Sequence, residues 1–138
     1  MPKSMQLLLG SAFSALLAVP AVAAPVTLVA TLNGANQTGG GDADGTGTFS
    51  AEIDADAGDF CYTLTAEKVD TVTMAHVHSG AAGANGPPVV TLELGSDLCV
   101  AAEPDVLKAI LAAPEGYYVN VHNAAYPAGA IRGQLVKK

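Results

Sequence analysis

The sequence predicts an all-β domain, a two-sheet sandwich or barrel with one short helix. Seven short runs alternate apolar and polar residues or are rich in β-branched side chains. Segments dense in Gly, Asn, Asp and Pro separate them, and a single stretch carries apolar residues at helical spacing. There is no long βαβ rhythm and no internal repeat, which argues against a parallel doubly wound sheet or a solenoid.

The first two dozen residues read as an export signal. Lys3 precedes an apolar run from Met5 to Val19, and Ala21 and Ala23 satisfy the small-x-small rule for cleavage after Ala23. That run is about fifteen residues, short of the roughly 20 that span a bilayer. The expected organisation is a signal peptide over 1–23 and one domain over 24–138, leading to a secreted or periplasmic protein. About 115 residues suffice for one core and are too few for two. Without Lys3, five basic residues face thirteen acidic ones, a balance of −8. That sign repels nucleic acid and anionic membrane surfaces, and is compatible with cation binding or simple solubility.

Each element follows from its residues. Val26–Leu32 is a β-branched first strand, and Asn33–Gly47 has almost nothing to bury, so it reads as a loop. Thr48–Ile53 places Phe49, Ala51 and Ile53 on one face, the aspartate-rich 54–59 segment turns, and Phe60–Thr65 returns as a hairpin. The turn aspartates lack the spacing and distal glutamate of an EF-hand. Val72–His78 and Val89–Leu94 are strands around a Gly/Ala/Asn/Pro turn over 80–88. A helix starts near Pro104, where proline suits a first turn and Asp105 complements the dipole. Its stripe is Val106, Leu107, Ile110 and Leu111, and Pro114 and Gly116 end it. Tyr117–Asn123 and Ala130–Val136 are the last strands.

Cys61 and Cys99 are the only cysteines. In an exported chain an even count reads as a disulfide, with a thiolate metal ligand as the rival. The closed loop would contribute on the order of 3–4 kcal/mol in the chain-entropy picture.

All three histidines lie in two strand-like segments: His76 and His78 in the first, His122 in the second. Period-two alternation puts His76 and His78 on one face. Adjacent strands would then gather three imidazoles, a set that suits copper with an open position, or zinc with a water. The competing expectation is that these rings hydrogen-bond turn groups and brace the 80–88 loop. The phase of the first strand is open. Ala75 and Val77 can face the core, but Val72 and Met74 share the histidines' parity. Arg132 reads either as a structural ion pair or as a guide for anions, and Asn120, Tyr117 and Tyr118 as supporting donors or packing. Asn36-Gln37-Thr38 matches a glycosylation acceptor, a chance match behind a bacterial-looking leader.

Several stretches resemble the CHRD domain, named for chordin. They are His76-Val77-His78-Ser79-Gly80 through Pro87; Gly116-Tyr117-Tyr118-Val119-Asn120-Val121-His122-Asn123 with Pro127 and Gly129; and Ile131-Arg132-Gly133-Gln134-Leu135. Leu32–Gln37 and the Gly-Thr-Gly-Thr-Phe entry at 45–49 fit as well. The resemblance implies an immunoglobulin-like β-barrel with limited similarity to copper/zinc superoxide dismutases, of the single-domain exported bacterial type. It implies no general activity. Chordin inhibits bone morphogenetic proteins outside cells, but this chain has nothing else of chordin. The His-x-His pair resembles a dismutase copper strand, yet three histidines cannot build that two-metal centre.

Two readings of function follow, with a third behind them. The first is a non-enzymatic binding module for an unidentified extracellular or envelope partner, with no nucleic acid and no transmembrane segment. The alternative is a mononuclear copper, or secondarily zinc, protein using His76, His78 and His122. The third is a copper redox enzyme. No catalytic residue is assigned.

Overall fold

A computed structural model describes residues 17–21 and 23–138, so most of the expected signal segment over 1–23 lies outside the described residues. No helix among the described residues is long and apolar enough to cross a membrane. Strands β1 (Val26–Asn33), β2 (Thr46–Asp54) and β3 (Asp59–Glu67) form a meander. The β2–β3 turn closes on the Asp54 carboxylate, which accepts from the backbone N–H groups of Asp56 and Ala57. Next come β4 (Val72–Ser79), β5 (Pro88–Leu92), β6 (Gly95–Ala101) and helix α1 (Pro104–Ala112). β7 (Tyr117–Asn123), β8 (Ile131–Gln134) and β9 (Val136–Lys137) complete the chain.

All pairings are antiparallel, in the order β5-β4-β7-β8-β1-β2-β3-β6, with β9 also on β1. The two outermost strands, β5 and β6, line one groove through Val89, Thr91 and Val100 beside Val106 of the helix. The sheet therefore curls into a nearly closed barrel.

Alternation in the sequence becomes alternation of burial. Phe49, Ala51 and Ile53 of β2 point inward, as do Leu28, Ala30 and Leu32 of β1 and Phe60, Tyr62 and Leu64 of β3. Phe49, Phe60 and Tyr62 gather with ring centroids 5.8–6.1 Å apart. Leu107 and Ile110 of α1 are fully buried in the same core, so the helix stripe packs as its spacing predicts. Cys61 and Cys99 are directly opposite on β3 and β6 and are bonded. Neither is left as a thiolate ligand, and the bond implies folding in an oxidising compartment.

The structure adds two strands to the expected seven. β6 is an edge strand broken by Gly95 and by Asp97 at φ 53°, so only Leu98 and Val100 show the inward period. The expected 130–136 strand divides at Leu135, which is fully buried and donates its N–H to the Tyr117 carbonyl of β7, and pairing with β1 resumes at Val136. The 33–47 loop also shrinks. Gly34–Asn36 forms a 3-10 turn, and β2 begins at Thr46.

Candidate metal centre

The centre is built on the outer face of β4, β7 and β8. Ala75 and Val77 of β4 are buried in the core while Met74 is 51% exposed, so His76 and His78 face outward and the phase of this strand is settled. On β7, Val119 and Val121 face the core, leaving Tyr118, Asn120 and His122 on the outer side. Every residue of Tyr118–Asn123 is nonetheless buried, because two loops, 80–87 and 124–130, fold over that outer face.

Register aligns the rings. His76 pairs with Asn120 and His78 with Tyr118, while Met74 lies opposite His122. His76 Nδ1 stands 3.4 Å from His122 Nε2. Ring centroids are 5.3 Å apart for His76–His78 and His76–His122, and 6.1 Å for His78–His122. One ring nitrogen from each histidine lies within 4.8 Å of the other two. A tetrahedral ion with bonds near 2.0–2.1 Å needs about 3.4 Å between ligand nitrogens, so one edge of the triangle is already at that length.

Two loop carbonyls fix the tautomers. His78 Nδ1 is 2.8 Å from the Gly86 carbonyl, and His122 Nδ1 is 2.9 Å from the Pro127 carbonyl. A carbonyl only accepts, so both Nδ1 atoms carry the proton and both Nε2 atoms present bare lone pairs. His78 Nε2 is buried without a partner, and so is Asn120 Oδ1 nearby. The loops are held for this task. Ser79 N–H donates to the Pro87 carbonyl at 3.0 Å and Gly80 N–H to Gly116 at 2.7 Å. Gly86 sits so close that a Cβ would collide with the Ser79 carbonyl oxygen. In the second loop Tyr126 N–H donates to Asn123 Oδ1 at 2.8 Å, and Gln37 Nε2 to the Ala128 carbonyl at 3.0 Å.

Electrostatics disfavour the charged form of His76 and His78. Burial, and then the neighbouring His122 and His78, hold the His76 pKa below its ordinary 6.5. His78 is lowered as well, first by burial; the Gly86 carbonyl opposes this, His122 adds to it, Asn120 opposes and Arg132 adds. Neutral imidazole is the form that ligates a metal.

Arg132 is 1% exposed and differs from both of its expected roles. No carboxylate pairs with it; Lys108–Asp56 is the only ion pair among the described residues. Its Nε and both terminal nitrogens donate to Gln134 Oε1, Thr38 Oγ1, Asn85 Oδ1 and the Ala81 carbonyl. No N–H is left to guide an anion, so Arg132 is a clamp between the 80–87 loop and β8. Its guanidinium carbon lies 3.5 Å from the Tyr118 ring centroid, while His78 stacks on that ring at 4.9 Å and 5°. Because β4 and β8 flank β7 on opposite sides, Tyr118 is held between the two, and it supports the site by packing. Tyr117 turns inward against the core.

The structure thus brings together the three histidines that the sequence singles out, with Asn120 and Tyr118 beside them. Sequence reading does not find the Gly86 and Pro127 carbonyls, because the signal for a backbone acceptor is tertiary. It also misses Asn85 and Gln134 as partners of Arg132.

A nearly closed antiparallel barrel, with three imidazoles gathered on its outer face beneath two tethered loops, is the class of protein that fold and site define. The chain belongs to the CHRD domain family, whose model matches residues 28–135. That span holds all three histidines, both cysteines and Arg132. No curated protein and no solved structure matches the chain.

Proposed function

We propose that this chain is an exported CHRD protein that binds one copper ion through His76, His78 and His122, without turning over a substrate. The observation that carries the reading is the pair of loop carbonyls, Gly86 and Pro127, that accept from Nδ1–H of His78 and His122 and so leave both Nε2 lone pairs unprotonated. A ring bracing a loop needs one such bond; a buried bare nitrogen beside two other imidazoles needs a further partner. Three imidazoles with an open position suit Cu(I) or Cu(II), and zinc with a water is the second choice. The partner-binding reading ranks below this one, since no surface feature among the described residues specifies a partner while the imidazole cluster specifies a chemistry.

The test is titration of metal-free protein lacking residues 1–23 with Cu(I) and Cu(II), repeated for His76→Ala, His78→Ala and His122→Ala. One-to-one binding, weakened at least about tenfold by each change, is the expected result. Binding that survives His122→Ala unchanged overturns the proposal.

A further inference from the structure

We propose that Met74 supplies a thioether ligand to the ion held by the three histidines, and thereby biases the centre toward Cu(I). This rests on the copper reading above and names a fourth ligand for that site. The chain has three methionines, Met1, Met5 and Met74, so Met74 is the only one within the family-matched span.

The backbone places it there. Between Val72 and Met74 the β4–β7 ladder slips: Val72 pairs with Asn123, and Met74, not Thr73, pairs with His122. This bulge is clipped by Thr73 Oγ1, which donates to the His122 carbonyl at 3.3 Å. Bulges re-aim side chains beside functional sites. Directly opposite residues share a face, with Cβ atoms about 4.5–5.5 Å apart. Met74 is therefore the cross-strand neighbour of His122 and, two residues away, the same-face neighbour of His76. Those two rings supply the closest nitrogen pair of the cluster, 3.4 Å apart.

The side chain is also free to move. Met74 is 51% exposed, the most exposed large apolar residue of the barrel strands, and it contributes nothing to the core. Its three rotatable bonds let the sulfur swing across the strand pair. A soft thioether discriminates: it favours Cu(I) and adds little for Zn(II). Three imidazoles and one thioether make a four-coordinate set in which no carboxylate or thiolate takes part.

The experiment compares wild-type protein with Met74→Leu, a change of similar volume at an exposed position. Cu(I) affinity is measured by competition with the chromophoric chelator bathocuproine disulfonate, and Zn(II) affinity by calorimetry. Met74→Leu is expected to weaken Cu(I) about tenfold or more and to leave Zn(II) affinity and melting temperature unchanged. X-ray absorption at the copper edge should show one sulfur neighbour in the wild-type Cu(I) complex and none in the variant. Equal Cu(I) affinities, or a purely nitrogen and oxygen shell in the wild type, overturn the thioether while leaving the three-histidine centre standing. Wild-type protein that binds neither ion overturns both.

Discussion

His76 Nδ1 lies 3.4 Å from His122 Nε2 although 46 residues separate them, and the β4–β7 register alone produces that approach. The two strands are neighbours because Ala75 and Val77 on one, and Val119 and Val121 on the other, share the barrel core. Packing of the inner face thus assembles the outer one.

The cluster makes stability depend on pH. His76 and His78 have folded-state pKa values below the ordinary 6.5. Below 6.5 the unfolded chain takes up protons that the folded rings resist, so the stability they confer is present above that value and lost as pH falls through it. Metal affinity falls over the same window, since protonated imidazole is no ligand. Melting of metal-free wild type against a His76→Gln/His78→Gln variant, from about pH 7.5 to about pH 5.5, should show the wild type losing more. Parallel curves would contradict the sign.

Gly86 carries the carbonyl that orients His78, and its Cβ position is occupied by the Ser79 carbonyl oxygen. Gly86→Ala should therefore lift the 80–87 loop. Urea denaturation is expected to show a loss of about 1–3 kcal/mol. Copper affinity should drop about 10–100-fold, as for other lost outer partners of a ligating histidine.

Arg132→Met removes a buried cation whose partners are all neutral. Gln134 Oε1, the Ala81 carbonyl and Asn85 Oδ1 would each lose a donor in a buried setting. A cost of about 3 kcal/mol or more is expected, read by denaturation. Arg132→Lys should recover little of it, because an ammonium cannot reproduce the planar fork. Added phosphate should leave wild-type stability unchanged, since no guanidinium N–H is free.

Reducing the Cys61–Cys99 bond should lower the melting temperature by about 10–15 °C. The bond closes a separation of 38 residues, which corresponds to about 4 kcal/mol in the chain-entropy picture. It also pins edge strand β6 to β3. Calorimetry with and without reductant measures this, and coincident melts would show the crosslink to be energetically idle.

Much of this was legible in the residues, and the exceptions have physical causes. Phe49, Ala51 and Ile53 declare their face by simple alternation, and Pro104 with Leu107 and Ile110 declares the helix. His76 and His78 share a face by period alone. The β4 phase was not legible, because Val72 and Met74 share the histidines' parity in sequence; the bulge between them returns Val72 to the core and leaves Met74 outside, and the packing of Ala75 and Val77 decides the phase. Strand β6 hides behind Ser96 and Asp97, since an edge strand buries few residues and so shows a faint pattern. The neutral cage around Arg132 joins Gln134 of its own strand to Thr38 and Asn85 from two distant segments, and no local pattern encodes that meeting.

The most direct measurement is the long-range proton–nitrogen NMR spectrum of the three imidazoles, before and after one equivalent of Cu(I). His78 and His122 should begin as Nδ1–H tautomers and keep that proton, while both Nε2 resonances shift on binding and the His76 ring shifts with them. An Nε2–H tautomer at His78 or His122, or rings that ignore the ion, would contradict this reading.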